Sequence, residues 1–141
     1  MLFPKKVKHR KWQTQRRNKN KARVATRGTE LQFGSFGVKA TTEARITSNQ
    51  IEAARKVVSR TVGKLGRYWI RIFPDRPYTS KPAEVGMGKG KGAPQGFCVE
   101  VLPGRIMFEV DGVKPDVARE ALRKAGAKLP VKVKIVSRED F

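Results

Sequence analysis

Thr47–Phe73, TSNQIEAARKVVSRTVGKLGRYWIRIF, decides the fold class. Thr47 is followed three places later by Gln50. This is the spacing of a capping box, in which two side chains satisfy backbone N–H groups left over at a helix start. Ile51, Ala54, Val58, Val62 and Leu65 then recur at helical intervals, and Val57 and Thr61 widen the stripe. Arg55, Lys56, Arg60 and Lys64 fall on other faces. Gly66 is expected to stop the helix, since a left-handed residue at that place costs glycine little. Tyr68–Phe73 is β-branched and aromatic and reads as a strand ended by Pro74. A helix with a single apolar face followed by a strand calls for a helix layer on a sheet.

The same reading extends in both directions. Upstream, Leu31, Phe33, Phe36, Val38 and Ala40 alternate, interrupted by Gly34-Ser35 and Gly37. They fit two short strands or one strand with a glycine bulge. Downstream, Phe97–Val101 and Arg105–Val110 flank Pro103-Gly104 and read as a hairpin. Pro115 suits a first helical turn, and Val117, Ala118, Ala121, Leu122 and Ala125 share one face of a second helix. Lys124 and Lys128 suit the negative pole at its end, and Leu129-Pro130 stops it. Val131, Val133 and Ile135 alternate with Lys132 and Lys134 as a last half-buried strand. The expected architecture is α+β: a two-layer sandwich in which two helices cover one face of a mixed β-sheet. Residues 29–141 form this domain, and residues 74–96, rich in proline and glycine and without a period, form a long loop within it.

Residues 1–28 read as a basic arm, with few apolar residues and no period of 2 or 3.6. Such a segment cannot bury enough apolar surface to offset its ordering entropy, so it is expected to order on a partner. Phe3 and Trp12 stand out, as anchors on the domain or as platforms for a base.

Charge names the class of partner. The chain has 141 residues, with 32 Lys and Arg against 12 Asp and Glu, a net +20. Its isoelectric point is near 10.9. Self-repulsion on that scale opposes compaction unless a polyanion relieves it. Nucleic acid is the first candidate and an anionic membrane the second. Half of the net charge lies in residues 1–30, where Lys5, Lys6, Lys8, Arg10, Lys11, Arg16, Arg17, Lys19, Lys21, Arg23 and Arg27 face Glu30 alone. The single cysteine, Cys98, excludes an internal disulfide and reads as a small buried hydrophobe. The single histidine, His9, leaves no metal site. There is no apolar run long enough to span a membrane, and no signal-peptide core. The start is basic and acid-poor, as in a transit peptide, but it lacks Ser and helical spacing.

Val85–Gly96, VGMGKGKGAPQG, invites comparison with nucleotide-binding loops. A P-loop fails, because no Ser or Thr follows Lys89 or Lys91 to hold magnesium. A dinucleotide fingerprint matches at Gly88, Gly90 and Ala93, but Pro94 and a strand follow instead of the required helix. No nucleophile–base pair is legible elsewhere. Glycines at alternate positions instead leave Lys89 and Lys91 on an almost bare backbone whose N–H groups can donate to phosphate. Arg76 and Lys81 lie beside it. A flexible linker with two solvated lysines is the plainer alternative. Arg55, Arg60, Arg119 and Arg123, opposite the apolar stripes of the helices, form either a solvated face or a second RNA face.

GTELQFGSFGVKATTEARITSNQIEAAR, WIRIFPDRPYTSKPAEVGMGKGKGAPQGF, PGRIMFEVDGV and KLPVKVKIV, together with the MLFPKKVKHRKWQ start, resemble the bacterial L-sixteen (universal L-sixteen/L-ten-e) family of large-subunit ribosomal proteins over nearly the full length. The resemblance implies a cytoplasmic, non-enzymatic ribosome constituent without cofactor or metal. It implies 23S rRNA, tRNA and neighbouring large-subunit proteins as partners, with no membrane or small-molecule substrate, and a seat at the base of the central protuberance. Lys5–Lys11 would belong to the rRNA-clasping arm, with Trp12 and the later arm cations. Met87, Gly88, Lys89, Gly90, Lys91 and Gly92 would form the loop nearest the tRNA, in the acceptor site near the peptidyl-transferase region. Gly86 stands where many relatives carry an Arg, hydroxylated in some, so no such modification is expected here. Ala93-Pro94 departs from the commoner Asn-Val. A free regulatory RNA-binding module is the alternative function, separable by high-salt co-sedimentation with the large subunit. A nucleotide-binding enzyme ranks third.

Overall fold

The computed structural model describes residues 1–13, 21–88 and 90–141. Among them are strands β1 (Phe36–Ala40), β2 (Ala44–Thr47), β3 (Arg67–Ile70), β4 (Arg76–Ser80), β5 (Ala93–Val101), β6 (Ile106–Asp111) and β7 (Val133–Ser137). Helices α1 (Ser48–Val62) and α2 (Pro115–Ala127) and a closing 3-10 turn complete the described elements.

The α+β class expected from the sequence stands. The single mixed sheet does not, because every described pairing is antiparallel and the strands divide into two sheets. One sheet runs β3-β6-β1-β7 and the other β2-β5-β4. Phe97–Val101 and Arg105–Val110 are therefore not a hairpin. Pro103-Gly104 carries the chain from β5 in the small sheet to β6 in the large one. Alternation is identical for a hairpin and for a strand pair that parts company at its turn, which is why the two look alike in sequence.

The capping box forms as spaced. Thr47 accepts from the Gln50 N–H, and Gln50 accepts from the Thr47 N–H at 2.9 Å. Ile51, Ala54, Val58 and Val62 are buried, but Leu65 is 93% exposed. The helix stops earlier than Gly66, at Gly63, whose φ of 74° is the left-handed conformation that glycine adopts without strain. α2 starts with Pro115 at its first turn and buries Ala118, Ala121, Leu122 and Ala125. The two helices pack together over Val38, Phe108 and Val110 of the large sheet, with Ile46 and Val101 of the small one in the same core.

The opposite face of the large sheet is covered by residues 31–34, where the sequence suggested strand. Leu31 lies on Gly37: a Cβ there would come within 2.4 Å of the leucine side chain. Glu109, paired in register with Gly37, is fully buried, and its Oε1 accepts the N–H groups of Gln32, Phe33 and Gly34 at 3.0 Å each. Arg71 donates to its other oxygen. Burial alone would raise this carboxyl's pKa, but the backbone donors and Arg71 outweigh it and hold the group below the ordinary carboxylate range.

Residues 74–96, expected as one loop, contain β4 and the start of β5. These pair antiparallel with a register shift between Tyr78 and Thr79. Pro77 and Pro94 conceal the strands in the sequence. Both are tolerated because β4 is an edge strand, and β5 pairs with β2 only over Cys98–Val101, leaving its earlier half without a second neighbour. The true connection is 81–92.

Candidate nucleic-acid interface

The arm and the loop meet over the small sheet. The arm's first residues hold to α1 and β5. The Met1 amino group lies 3.8 Å from Glu52, Leu2 packs on the core, and Phe3 meets Phe97 edge-on with ring centroids 6.3 Å apart. Its last residues run beside the 102–106 turn. The Ala25 N–H donates to the Pro103 carbonyl and the Ile106 N–H to the Gly28 carbonyl, both at 2.8 Å. Arg105 donates to the carbonyls of Arg27 and Arg71 at 3.2 and 2.9 Å.

Between these anchors, Lys11–Gln13 crosses the root of the loop. Lys11 donates to the Lys91 carbonyl at 3.3 Å, and Lys91 donates in return to the Trp12 carbonyl. Arg76, on β4, donates to the Gln13 carbonyl at 3.0 Å, lies 5.4 Å from the Trp12 ring centroid and pairs with Glu100 at 2.5 Å. A guanidinium above an indole is held by the ring's quadrupole, and the carboxylate below fixes its orientation. Through this exchange each lysine is held on the backbone of the other segment.

Lys81 donates to the Gly88 carbonyl and closes the loop across its neck. Gly88 and Gly90 have φ of 98° and 89°, so the path of the tip requires glycine. Gly86 differs, having no left-handed φ and no atom within 4 Å of the place a Cβ would occupy. Met87 is 99% exposed at the tip. Gly92 returns the chain to the sheet, where a Cβ would meet the Ser80 carbonyl oxygen at 2.5 Å.

Of the residues singled out in the sequence, the structure brings together Lys11, Trp12, Arg76 and Lys91, and separately Lys81 and Gly88. Lys5, Lys6, Lys8, Arg10, Lys21 and Arg23 are exposed, and among the described residues their side chains form no hydrogen bond or ion pair. Arg16, Arg17, Lys19 and Lys89 lie outside the described residues. On the helices, Arg55 is bound to Glu52 and to the Tyr68 hydroxyl, Arg123 to Glu120, and Arg119 lies over the Phe36 ring. Arg60 is exposed, so three of the four helix arginines singled out in the sequence already have partners within the protein. Cys98 is buried, and burial pushes its thiol pKa up. Among the described residues no group of three or more His, Cys, Asp or Glu could hold a metal.

Two features escaped the sequence reading. The Glu109–Arg71 pair had one usable signal, an acid inside the apolar run Ile106–Val110. The stack of Phe33 on Trp69 had none, because the two lie on segments unrelated by any spacing.

Fold and interface together define a class, a strongly basic α+β protein with a cation-rich arm that touches a glycine–lysine loop. Residues 4–136 match the family described as ribosomal protein L16p/L10e. The chain is 56% identical to the large ribosomal subunit protein uL16 of Azobacteroides pseudotrichonymphae genomovar. CFP2, over all of this chain and 96% of the relative. It is 55% identical to that of Azorhizobium caulinodans over 98% of each chain. The protein belongs to the ribosomal protein L16p/L10e family, as the resemblance in its sequence implied. That family is one of ribosomal proteins and not of enzymes, in keeping with the failed nucleotide motifs.

Proposed function

We propose that this protein, a structural and non-enzymatic constituent of the large ribosomal subunit, clasps 23S rRNA with its arm and presents the 81–92 loop to tRNA. The tRNA contact falls near the acceptor site and the peptidyl-transferase region of the cytoplasmic ribosome, among neighbouring large-subunit proteins. Arm cations neutralise phosphates and release counterions, which supplies most of the affinity. The observation that carries this reading is the contact between Lys11-Trp12 and Lys91-Arg76. Through it, an arm fixed on rRNA also fixes the root of the loop. Lys91, with Lys89, then offers charge on a backbone whose glycines permit close approach to a polyanion.

The test is tRNA accommodation on ribosomes assembled with Lys89→Ala and Lys91→Ala together. Slower accommodation with an unchanged unfolding transition is expected. Normal accommodation removes the loop's role, while loss of 23S rRNA binding upon arm neutralisation tests the clasp separately.

A further inference from the structure

On the face of the large sheet away from the helices, Phe33 and Trp69 stack with ring centroids 5.9 Å apart and planes 21° from parallel. The Arg71 guanidinium lies 5.3 Å from the Phe33 centroid. Half of Phe33 stays exposed, at 51%. Phe33 is held in place from behind, since its own N–H and those of both neighbours are bound by Glu109. Arg138 adds bonds to the carbonyls of Gly34 and Gln32 at 3.0 and 3.3 Å. The ring is therefore presented on a rigid mount.

Trp69 belongs to β3, an edge strand of its sheet. With the two-residue period of a strand, Arg67, Trp69 and Arg71 share one face. Arg67 is exposed, and among the described residues its side chain makes no hydrogen bond or ion pair. Asp111 and Glu109 stand opposite this row in register, but Asp111 accepts from Ser35 and Glu109 is consumed by its four donors. Arg67 and Arg71 thus balance Asp111 and Glu109 in charge, and Arg67 is the cation of the strip left exposed.

An open aromatic surface beside a free arginine, on a chain of net +20, is the chemistry that receives an unpaired nucleobase: the ring stacks and the guanidinium takes the flanking phosphate. We infer that Phe33, Trp69 and Arg67 form a second RNA contact, separate from the arm and loop, that stacks an unpaired base of single-stranded RNA. This rests on the reading that the protein docks on rRNA.

The chain has two tryptophans, so Trp12→Phe leaves Trp69 as the sole indole reporter. In that background a fluorescein-labelled single-stranded ten-nucleotide RNA is titrated, and anisotropy and Trp69 emission are read together. Trp69 emission should be quenched in step with binding. Phe33→Tyr should keep the affinity, and Phe33→Leu, which retains an apolar cover but not a ring, should weaken it roughly tenfold. Arg67→Ala, at an exposed position where folding is not at stake, should lower the salt slope by about one. Binding by anisotropy with Trp69 emission unchanged, or equal affinity of Phe33→Leu and Phe33→Tyr, overturns the inference and leaves the patch as a cover for the sheet or a protein contact. Absence of any RNA binding overturns it together with the docking on rRNA.

Discussion

Glu109 shows how a single residue can hold a covering segment in place. Its carboxylate gathers three backbone N–H groups and Arg71 in the floor of the large sheet. Because its folded pKa lies below the ordinary value, its contribution to stability is complete above the unfolded carboxylate pKa and is lost as pH falls through the folded one. Glu109→Gln should cost about 3–5 kcal/mol at neutral pH, since it strands a buried arginine and replaces an ionic acceptor with a weaker one. Urea melts at neutral and acidic pH check this: the gap between wild type and variant should close as pH falls. Gly86 lies at the other extreme. With open space at its missing Cβ, Gly86→Arg should change unfolding stability by no more than about 0.5 kcal/mol. It should also tighten RNA binding at low salt, with a slope steeper by about one, as read by anisotropy across a salt series.

Elements differ in how openly the sequence declares them, and the difference is physical. α1 is legible because everything that makes it a helix is local, from the Thr47–Gln50 box to the spacing of Ile51, Ala54 and Val58. Its end is misjudged because Gly63 and Gly66 both qualify, and only the fold decides that Leu65 faces water. β4 is hidden because its Pro77 is acceptable only at an edge, and edge status is not a local property. The arm–loop contact is hidden for a similar reason. Lys11, Trp12, Arg76 and Lys91 were each visible as candidates, but their meeting depends on how β4 and β5 pair. That contact is energetically light, since an exposed cation–π pair contributes about 0.5–1 kcal/mol. Trp12→Ala should therefore leave the melting transition nearly unchanged while amide exchange quickens at Gly90–Gly92. Unchanged exchange there would mean that the loop holds its course without the arm.

For the whole molecule, a compact apolar core supports a charge that the core does not need. Helices and both sheets share Ile46, Val58, Phe108 and Leu122, whereas the exposed cations Lys5, Lys6, Lys8 and Arg10 serve no described internal contact. Composition alone gave the polyanion, and pattern gave the α+β class. Neither could give the division into two antiparallel sheets, because the parting at Pro103-Gly104 is a matter of which neighbours β5 and β6 choose. The central claim is that the arm's cations grip rRNA by neutralising phosphates, and the salt dependence of binding measures it directly. With Lys5, Lys6, Lys8 and Arg10 all changed to Gln, the slope of log affinity for 23S rRNA against log salt should fall by about 3. A slope equal to that of the unmodified chain would contradict the account.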